Sequence, residues 1–144
     1  MKKIIFVCLG NICRSPMAEF VMKDLVKKAG REKEFEIISR ATSDEEEGNP
    51  VHRGTRRKLD EMGVPYQNRY ATVITRAECE SYDYIIGMDD NNIRALKRLT
   101  GGGMENKIRR LLADKSVADP WWTGNFDETY DDVLRGCKKL LEEI

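Results

Sequence analysis

Cys8 and Arg14 stand close together near the front of the chain, with Gly10-Asn11 between them and Ser15-Pro16 directly after. A thiol can attack an electrophilic centre. A guanidinium can hold two oxygens of a tetrahedral anion with paired donors, a fork that lysine does not reproduce. The segment between them is long enough to curl around an anion with its backbone N–H groups turned inward. Ser15 suits a helix N-cap and Pro16 the first helical position, so the loop is expected to run onto a helix N-terminus. That end carries a partial positive charge and favours anions. The same environment favours the thiolate of a cysteine. Cys8 is therefore read as a nucleophile on the floor of an anion site, with Ser15 placed to donate a hydrogen bond to it.

Several elements must hold this loop in place. Ile4 to Val7 is a continuous run of β-formers, the pattern of a strand buried on both faces of a parallel sheet. Met17, Ala18, Val21, Met22, Leu25, Val26 and Ala29 recur at helical spacing up to Gly30, with Lys27 and Lys28 suited to the C-terminal dipole. Glu34 to Arg40 reads as a second strand, and a strand-helix-strand unit implies a right-handed crossover and a parallel pair. A loop with the acidic run Asp44-Glu45-Glu46-Glu47 follows, then helix-like sequence from Val51 to Met62 whose basic residues are read as an exposed face. Tyr66 to Glu80 shows no clear pattern. Tyr82 to Met88 reads as a third strand, Asp89-Asp90-Asn91 as cap chemistry for a helix through Leu99, and Lys107 to Leu112 as a short fourth strand. Asp119-Pro120-Trp121-Trp122 reads as a rigid aromatic loop, and Phe126 to Ile144 as a final amphipathic helix. This order predicts an α/β fold, an open four-stranded parallel sheet with helices on both faces. Ligands of such sheets bind at the carboxyl ends of the strands, where Cys8 stands.

The chain of 144 residues fits one domain, residues 1–144. Lys plus Arg and Asp plus Glu balance at 25 each, so net charge gives no reason to expect nucleic acid or an anionic membrane as partner. No stretch approaches the roughly 20 apolar residues of a membrane span. Cys8, Cys13, Cys79 and Cys137 lack the close paired spacing of a structural zinc site, and His52 is the one histidine. No metal and no cofactor is expected. The absence of a signal-like apolar run makes a reducing cytoplasm the expected compartment. Gly101-Gly102-Gly103 lacks the following Lys-Ser/Thr of a nucleotide loop.

The stretch Cys8-Leu9-Gly10-Asn11-Ile12-Cys13-Arg14-Ser15-Pro16 resembles the low-molecular-weight protein tyrosine phosphatases. Ala41-Thr42-Ser43, Gly48-Asn49-Pro50, Tyr84-Ile85 and Asp119-Pro120 extend the likeness over essentially the whole chain. A Cys and an Arg at this spacing also occur in other phosphatase folds and in sulfur transferases. Their place at the extreme N-terminus, with an Asp-Pro far downstream, is the specific part. The resemblance implies a three-layer α/β/α fold and hydrolysis of phosphotyrosine and small aryl phosphates, without a metal. Cys8 would form a phosphocysteine, Arg14 and the amides of Leu9, Gly10, Asn11, Ile12, Cys13 and Ser15 would hold the phosphate, and Asp119 would serve as general acid and base. On its own, Asp119 before Pro120 is only turn chemistry. Phosphotyrosine proteins or peptides would be the partners and inorganic phosphate the product.

The resemblance also implies supporting roles. Asn11 would hold the loop in a strained conformation through Ser15 and Ser39. The family often adds a histidine to this support, and Gln67-Asn68-Arg69-Tyr70 stands where it would be, so Asn68 or Arg69 must substitute. His52 is read as a surface residue. Cys13 would form a reversible disulfide with Cys8 or, alternatively, pack as a small buried residue. Trp121 and Trp122 would frame the substrate ring, with core packing against the final helix as the other reading. Glu45 and Glu46 would make an acidic rim that disfavours acidic phosphopeptides. Three other activities share features of this pattern. A thiol-relay arsenate reductase needs further cysteines, of which only Cys79 lies near the third strand. A phosphoarginine hydrolase favours a small hydroxyl residue in place of Ile12. A phosphate-binding module does not need both Arg14 and Asp119.

Overall fold

The computed structural model describes residues 1–144. Strands β1 (Lys2–Cys8), β2 (Phe35–Ala41), β3 (Tyr84–Gly87) and β4 (Ile108–Arg110) form one sheet in the order β2-β1-β3-β4, with every pair parallel. Side chains alternate across β1. Ile4, Phe6 and Cys8 face one layer and Ile5 and Val7 the other, and all are buried. Burial on both faces is why this strand reads as an unbroken apolar run.

The first layer holds α1 (Arg14–Lys28), α2 (Arg53–Glu61) and α6 (Phe126–Glu143), which contribute Met17, Phe20, Val21, Leu59, Val133, Cys137 and Leu140 to its core. The second holds α3 (Arg76–Ser81) and α4 (Asp90–Thr100), with Cys79 and Leu96 packed against Ile5, Val7 and Ile85. The chain leaves β1 toward β2 on one side, and β3 joins on the other. Cys8 thus ends the strand at which the sheet order reverses, the usual place for a ligand in such sheets.

The elements differ from the sequence reading in places. Ser15 does not cap α1. The helix begins at Arg14, Cys13 holds the cap position with no side-chain cap bond, and Ser15 lies inside the first turn with its hydroxyl turned to the loop. The unpatterned segment before Tyr82 contains α3, too short for a periodic signal but marked by a capping box between Thr75 and Glu78. Asp119-Pro120-Trp121-Trp122 is not a loop but the start of a single-turn helix, α5 (Pro120–Thr123), closed by Gly124 at φ 68°. The fourth strand, expected over Lys107 to Leu112, is present but shorter, Ile108–Arg110.

Two charged residues of α2 also depart from expectation. Lys58 is buried rather than on an exposed face, and its Nζ lies 2.6 Å from Asp127 Oδ1 and 3.3 Å from Glu61 Oε1. His52 is half-buried. Its Nδ1 accepts the Gly54 N–H at 2.9 Å and caps α2, and its ring stacks on Phe126 at 5.4 Å. Gly54 is required there, because a Cβ would stand 2.2 Å from the Phe126 ring. No helix is long and apolar enough to cross a membrane.

Candidate active site

Cys8 is the last residue of β1, and the chain from Cys8 to Arg14 closes around one cavity of about 150 Å³. The rest of its lining is Glu45, Glu46, Asp119, Trp121 and Trp122. Cys8 Sγ accepts the Asn11 N–H at 3.2 Å and lies 3.0 Å from Ser15 Oγ. Ser15 is fully buried and does not line the cavity, contrary to its expected place among the phosphate contacts. It touches the thiol from beneath. Ser15 Oγ accepts from Asn11 Nδ2 at 2.7 Å, so its own proton is free to point at Cys8, the nearer acceptor, rather than at Arg40 O at 3.4 Å.

Asn11 is the one non-glycine residue with positive φ, 57°. Asparagine visits this region more easily than most residues, at some cost. Four hydrogen bonds hold it there. Its Nδ2 donates to Ser15 Oγ and, at 3.1 Å, to Ser39 Oγ; its Oδ1 accepts from the Thr72 N–H at 3.2 Å and from Arg69 Nη2 at 2.8 Å. Arg69, and not Asn68, therefore occupies the place left open by the missing histidine. Ser39 Oγ donates to Glu19 Oε1 at 2.6 Å, and Arg69 Nε lies 3.5 Å from the same oxygen. Burial lowers the Arg69 guanidinium below its ordinary pKa, opposed by the charge of Glu19.

Arg14 is buried at the mouth of α1. Its Nη1 donates to Asp89 Oδ2 at 2.9 Å and to Val117 O at 3.4 Å, and its Nη2 lies 3.4 Å from Asp119 Oδ2. Burial alone would lower its pKa. The charges of Cys8 and Asp119 and the bond to Asp89 outweigh burial and raise it. Asp89 divides its two oxygens: Oδ1 caps α4 through the Asn92 N–H at 2.9 Å, and Oδ2 orients Arg14. The cap was visible in the sequence; the second task was not, because it depends on a partner 75 residues away.

Asp119 is fixed in the same divided way. Its Oδ1 accepts the Trp121 N–H at 3.1 Å as the cap of α5, and Oδ2 turns to Arg14. The preceding residue is pinned to α6: the Ala118 N–H donates to Asp132 Oδ2 at 3.0 Å, and Thr129 Oγ1 donates to Ala118 O at 2.9 Å. Trp121 and Trp122 are 59% and 82% exposed, so neither packs in the core. Cys13 lines the cavity beside Cys8, and its thiol is pushed up to about 12, first by burial and then by the charges of Cys8 and Asp119. Cys79 and Cys137 are buried in the two cores, away from the cavity. Asp89, Glu19, Thr72, Thr129 and Asp132 are the supporting residues that sequence reading missed.

A thiol, a held arginine and a capped aspartate at one anion-shaped loop suit cysteine-based phosphoryl chemistry, and relatives carry that chemistry in their names. The chain matches the family model described as low molecular weight phosphotyrosine protein phosphatase over residues 3–144. It is 39% identical to the low molecular weight protein-tyrosine-phosphatase YfkJ of Bacillus subtilis, over all of this chain and 96% of that one. It is 33% identical to PtpA of Staphylococcus aureus, over all of this chain and 94% of the other. The crystal structure of the Streptococcus pyogenes low molecular weight protein tyrosine phosphatase superimposes with a TM-score of 0.94 at 45% identity, covering all of this chain and 93% of that one. The chain belongs to the low-molecular-weight phosphotyrosine protein phosphatases, a family of cysteine-based enzymes.

Proposed function

We propose that the chain hydrolyses phosphotyrosine and small aryl phosphates through a phosphocysteine on Cys8. The observation that carries this reading is the meeting of Cys8, Arg14 and Asp119 in one cavity, with Asp119 Oδ2 only 3.4 Å from the arginine that would hold the phosphate. In the first step the Cys8 thiolate attacks phosphorus. The S–P bond forms, the P–O bond to the aryl group breaks, and Asp119 gives its proton to the departing phenolate oxygen. In the second step Asp119, now a carboxylate, takes a proton from water as that water attacks phosphorus. The S–P bond breaks, and inorganic phosphate and the thiolate are released. Arg14 and the inward amides of the loop hold the equatorial oxygens throughout. Ser15, donating to Cys8, stabilises the thiolate as a leaving group in the second step.

Two observations weigh against the other activities. Beyond Cys13, a thiol relay would need a further cysteine to take over the disulfide, and Cys79 lies in the core of the opposite layer, with its thiol raised by burial. The exposed indoles at the cavity mouth suit a flat aromatic leaving group better than an alkyl guanidine.

The test compares wild type, Cys8→Ser and Asp119→Ala on phosphotyrosine, phosphoarginine and arsenate, with acid-quench trapping of the phosphoenzyme. Phosphotyrosine should turn over in wild type alone among these substrates, with no turnover in Cys8→Ser. Asp119→Ala should lose about 10²–10⁴-fold on phosphotyrosine and much less on aryl phosphates with good leaving groups. Undiminished turnover in Cys8→Ser would end the proposal.

A further inference from the structure

The segment that runs beside the cavity changes sign along its length, from Glu45 and Glu46 at the cavity to Arg53 beyond it. Residues 43–52 run beside the loop that begins at Cys8: the Ser43 N–H donates to Leu9 O at 3.1 Å, and the His52 N–H donates to Ile12 O at 2.8 Å. At the Leu9 end, Glu45 and Glu46 enter the cavity lining. At the Ile12 end the chain turns into α2, whose first residue is Arg53. Arg53 and Arg57 stand one turn apart on the same helix face, both exposed, and neither pairs with a carboxylate.

These two arginines line a second, shallow bay of about 470 Å³ that shares no lining residue with the first cavity but adjoins it through one ring contact. His52 is the join. Its ring packs edge-on at 6.2 Å from Trp121, which lines the cavity, and stacks on Phe126, which lines the bay. The bay also receives the N-terminus of the 18-residue helix α6. Asn125 Oδ1 takes the Glu128 N–H at 3.0 Å, which leaves the Phe126 and Asp127 N–H groups without an acceptor in the chain. Two carboxylates, Glu61 and Asp127, face the same space. Both are engaged by the single Lys58, which offsets one of them, and with Arg53 and Arg57 the charged side chains of the bay sum to one net positive charge.

We propose that this bay is a specificity subsite for an acidic residue of the phosphopeptide, with Arg53 and Arg57 as the recognising side chains. The proposal rests on the phosphotyrosine reading of the cavity. Two guanidinium forks and a positive helix end are complementary to an Asp or Glu carboxylate. The bay begins one residue beyond the backbone contact of His52 with the loop, and His52 also touches Trp121 at the cavity, so a peptide whose phosphotyrosine fills the cavity passes beside it in one direction. The preferred substrate is therefore polarised: acidic toward α2, and neutral or basic toward Glu45.

The experiment moves a pair of glutamates along a neutral phosphotyrosine peptide and measures kcat/KM for wild type, Arg53→Glu, Arg57→Glu and the double variant. Para-nitrophenyl phosphate and the neutral peptide serve as controls. One glutamate register should be preferred by wild type, and each reversal should cut that preference about two- to fivefold, the range of an exposed ion pair. The loss should lie in KM rather than kcat, shrink at about 0.5 M salt, and leave both controls unchanged. Equal losses on acidic and neutral peptides, or no preferred register in wild type, would overturn the subsite. Failure of wild type on both controls would instead overturn the phosphotyrosine reading, and it is seen before any arginine is changed.

Discussion

Arg69 Nη2 donates to Asn11 Oδ1 across 2.8 Å, and through that bond a residue of the 64–75 connection holds the one strained residue of the anion loop. The Asn11 N–H in turn donates to Cys8 Sγ, so the conformation of Asn11 sets one of the two hydrogen bonds the thiol receives. Removing Arg69 leaves Asn11 Oδ1 with only the Thr72 N–H and leaves Glu19 with Lys23 as its one basic partner. Arg69→Ala should lower kcat about tenfold or more and slow inactivation of Cys8 by iodoacetate. It should also cost about 1.5–3 kcal/mol of stability, the usual loss for a hydrogen bond to a charged group. Arg69→His should restore part of both rates if position 69 only has to donate to Asn11. Equal iodoacetate rates in wild type and Arg69→Ala would show that Arg69 stabilises the fold without positioning the loop.

Asp89 separates orientation of Arg14 from capping of α4. Asp89→Asn keeps an oxygen for the Asn92 N–H, so thermal stability should fall little. The nearer of the two carboxylate partners of Arg14 loses its charge, and kcat/KM for an aryl phosphate should drop about tenfold. Asp89→Ala removes both and should cost a further ~1 kcal/mol for the cap. Calorimetry and kinetics on the pair of variants check this; equal melting temperatures for Asn and Ala would contradict the division of the two oxygens.

Cys13 is a thiol at neutral pH, held there by burial and by the neighbouring negative groups. It lines the same cavity as Cys8, and the redox role proposed for it is to condense with a sulfenic acid formed on Cys8, giving a disulfide with loss of water. Wild type treated with peroxide should therefore recover fully with dithiothreitol. Cys13→Ser should recover in smaller part, with sulfinic and sulfonic acid on Cys8 in the mass spectrum. Full recovery in Cys13→Ser would remove the redox role and leave Cys13 as packing.

The buried thiols also set a limit at high pH. Burial raises Cys137, Cys79 and Cys13, the last to about 12 from an ordinary value of 9.0. A raised acid keeps its proton in the folded protein after the unfolded chain has lost it. The unfolded state then binds fewer protons, and stability falls as pH rises. The contribution is intact below about pH 9 and is lost progressively as the pH climbs toward the folded values, at up to about 1.4 kcal/mol per pH unit for each such group. Urea midpoints measured from pH 8 to 11 should fall, and the fall should be shallower in Cys137→Ala. An unchanged slope in that variant would mean that Cys137 does not contribute.

The parallel sheet and the anion loop were legible because they rest on local patterns: an apolar run, helical spacing, and Cys, Arg and Ser-Pro in close succession. The supports were not. Asp89 announces a helix cap and Asp119 only a turn, and their second oxygens find Arg14 only when distant segments meet at the sheet edge. Lys58 looked like one more surface charge because its counterion, Asp127, is on another helix. His52 looked isolated because Phe126 and Trp121, which pack on it, come more than 60 residues later. Helix α3 is shorter than the period that would reveal it, and the three residues of β4 are too few to fix the ends of the fourth strand.

The acidic end of the segment beside the cavity makes its own prediction, and the two glutamates there are not equivalent. Glu46 Oε2 accepts from Asn49 Nδ2 at 2.6 Å, and its aliphatic stem lies against Gly10, where a Cβ would meet it at 3.1 Å. Glu46 is thus part of the loop's packing as well as its charge. Glu45 makes no side-chain bond and is exposed at the cavity, so its charge acts on the substrate alone. Glu45→Lys should raise kcat/KM about two- to fivefold for peptides with acidic residues near the Leu9 end, and lower it for basic ones, with no change on para-nitrophenyl phosphate. Glu46→Lys should shift the same ratio but also lower kcat on every substrate, because Gly10 loses its cover. The changes should fade with salt, since an exposed charge is screened within about 10 Å at 0.1 M. An unchanged ratio for Glu45→Lys at low salt would remove the acidic rim from any account of specificity.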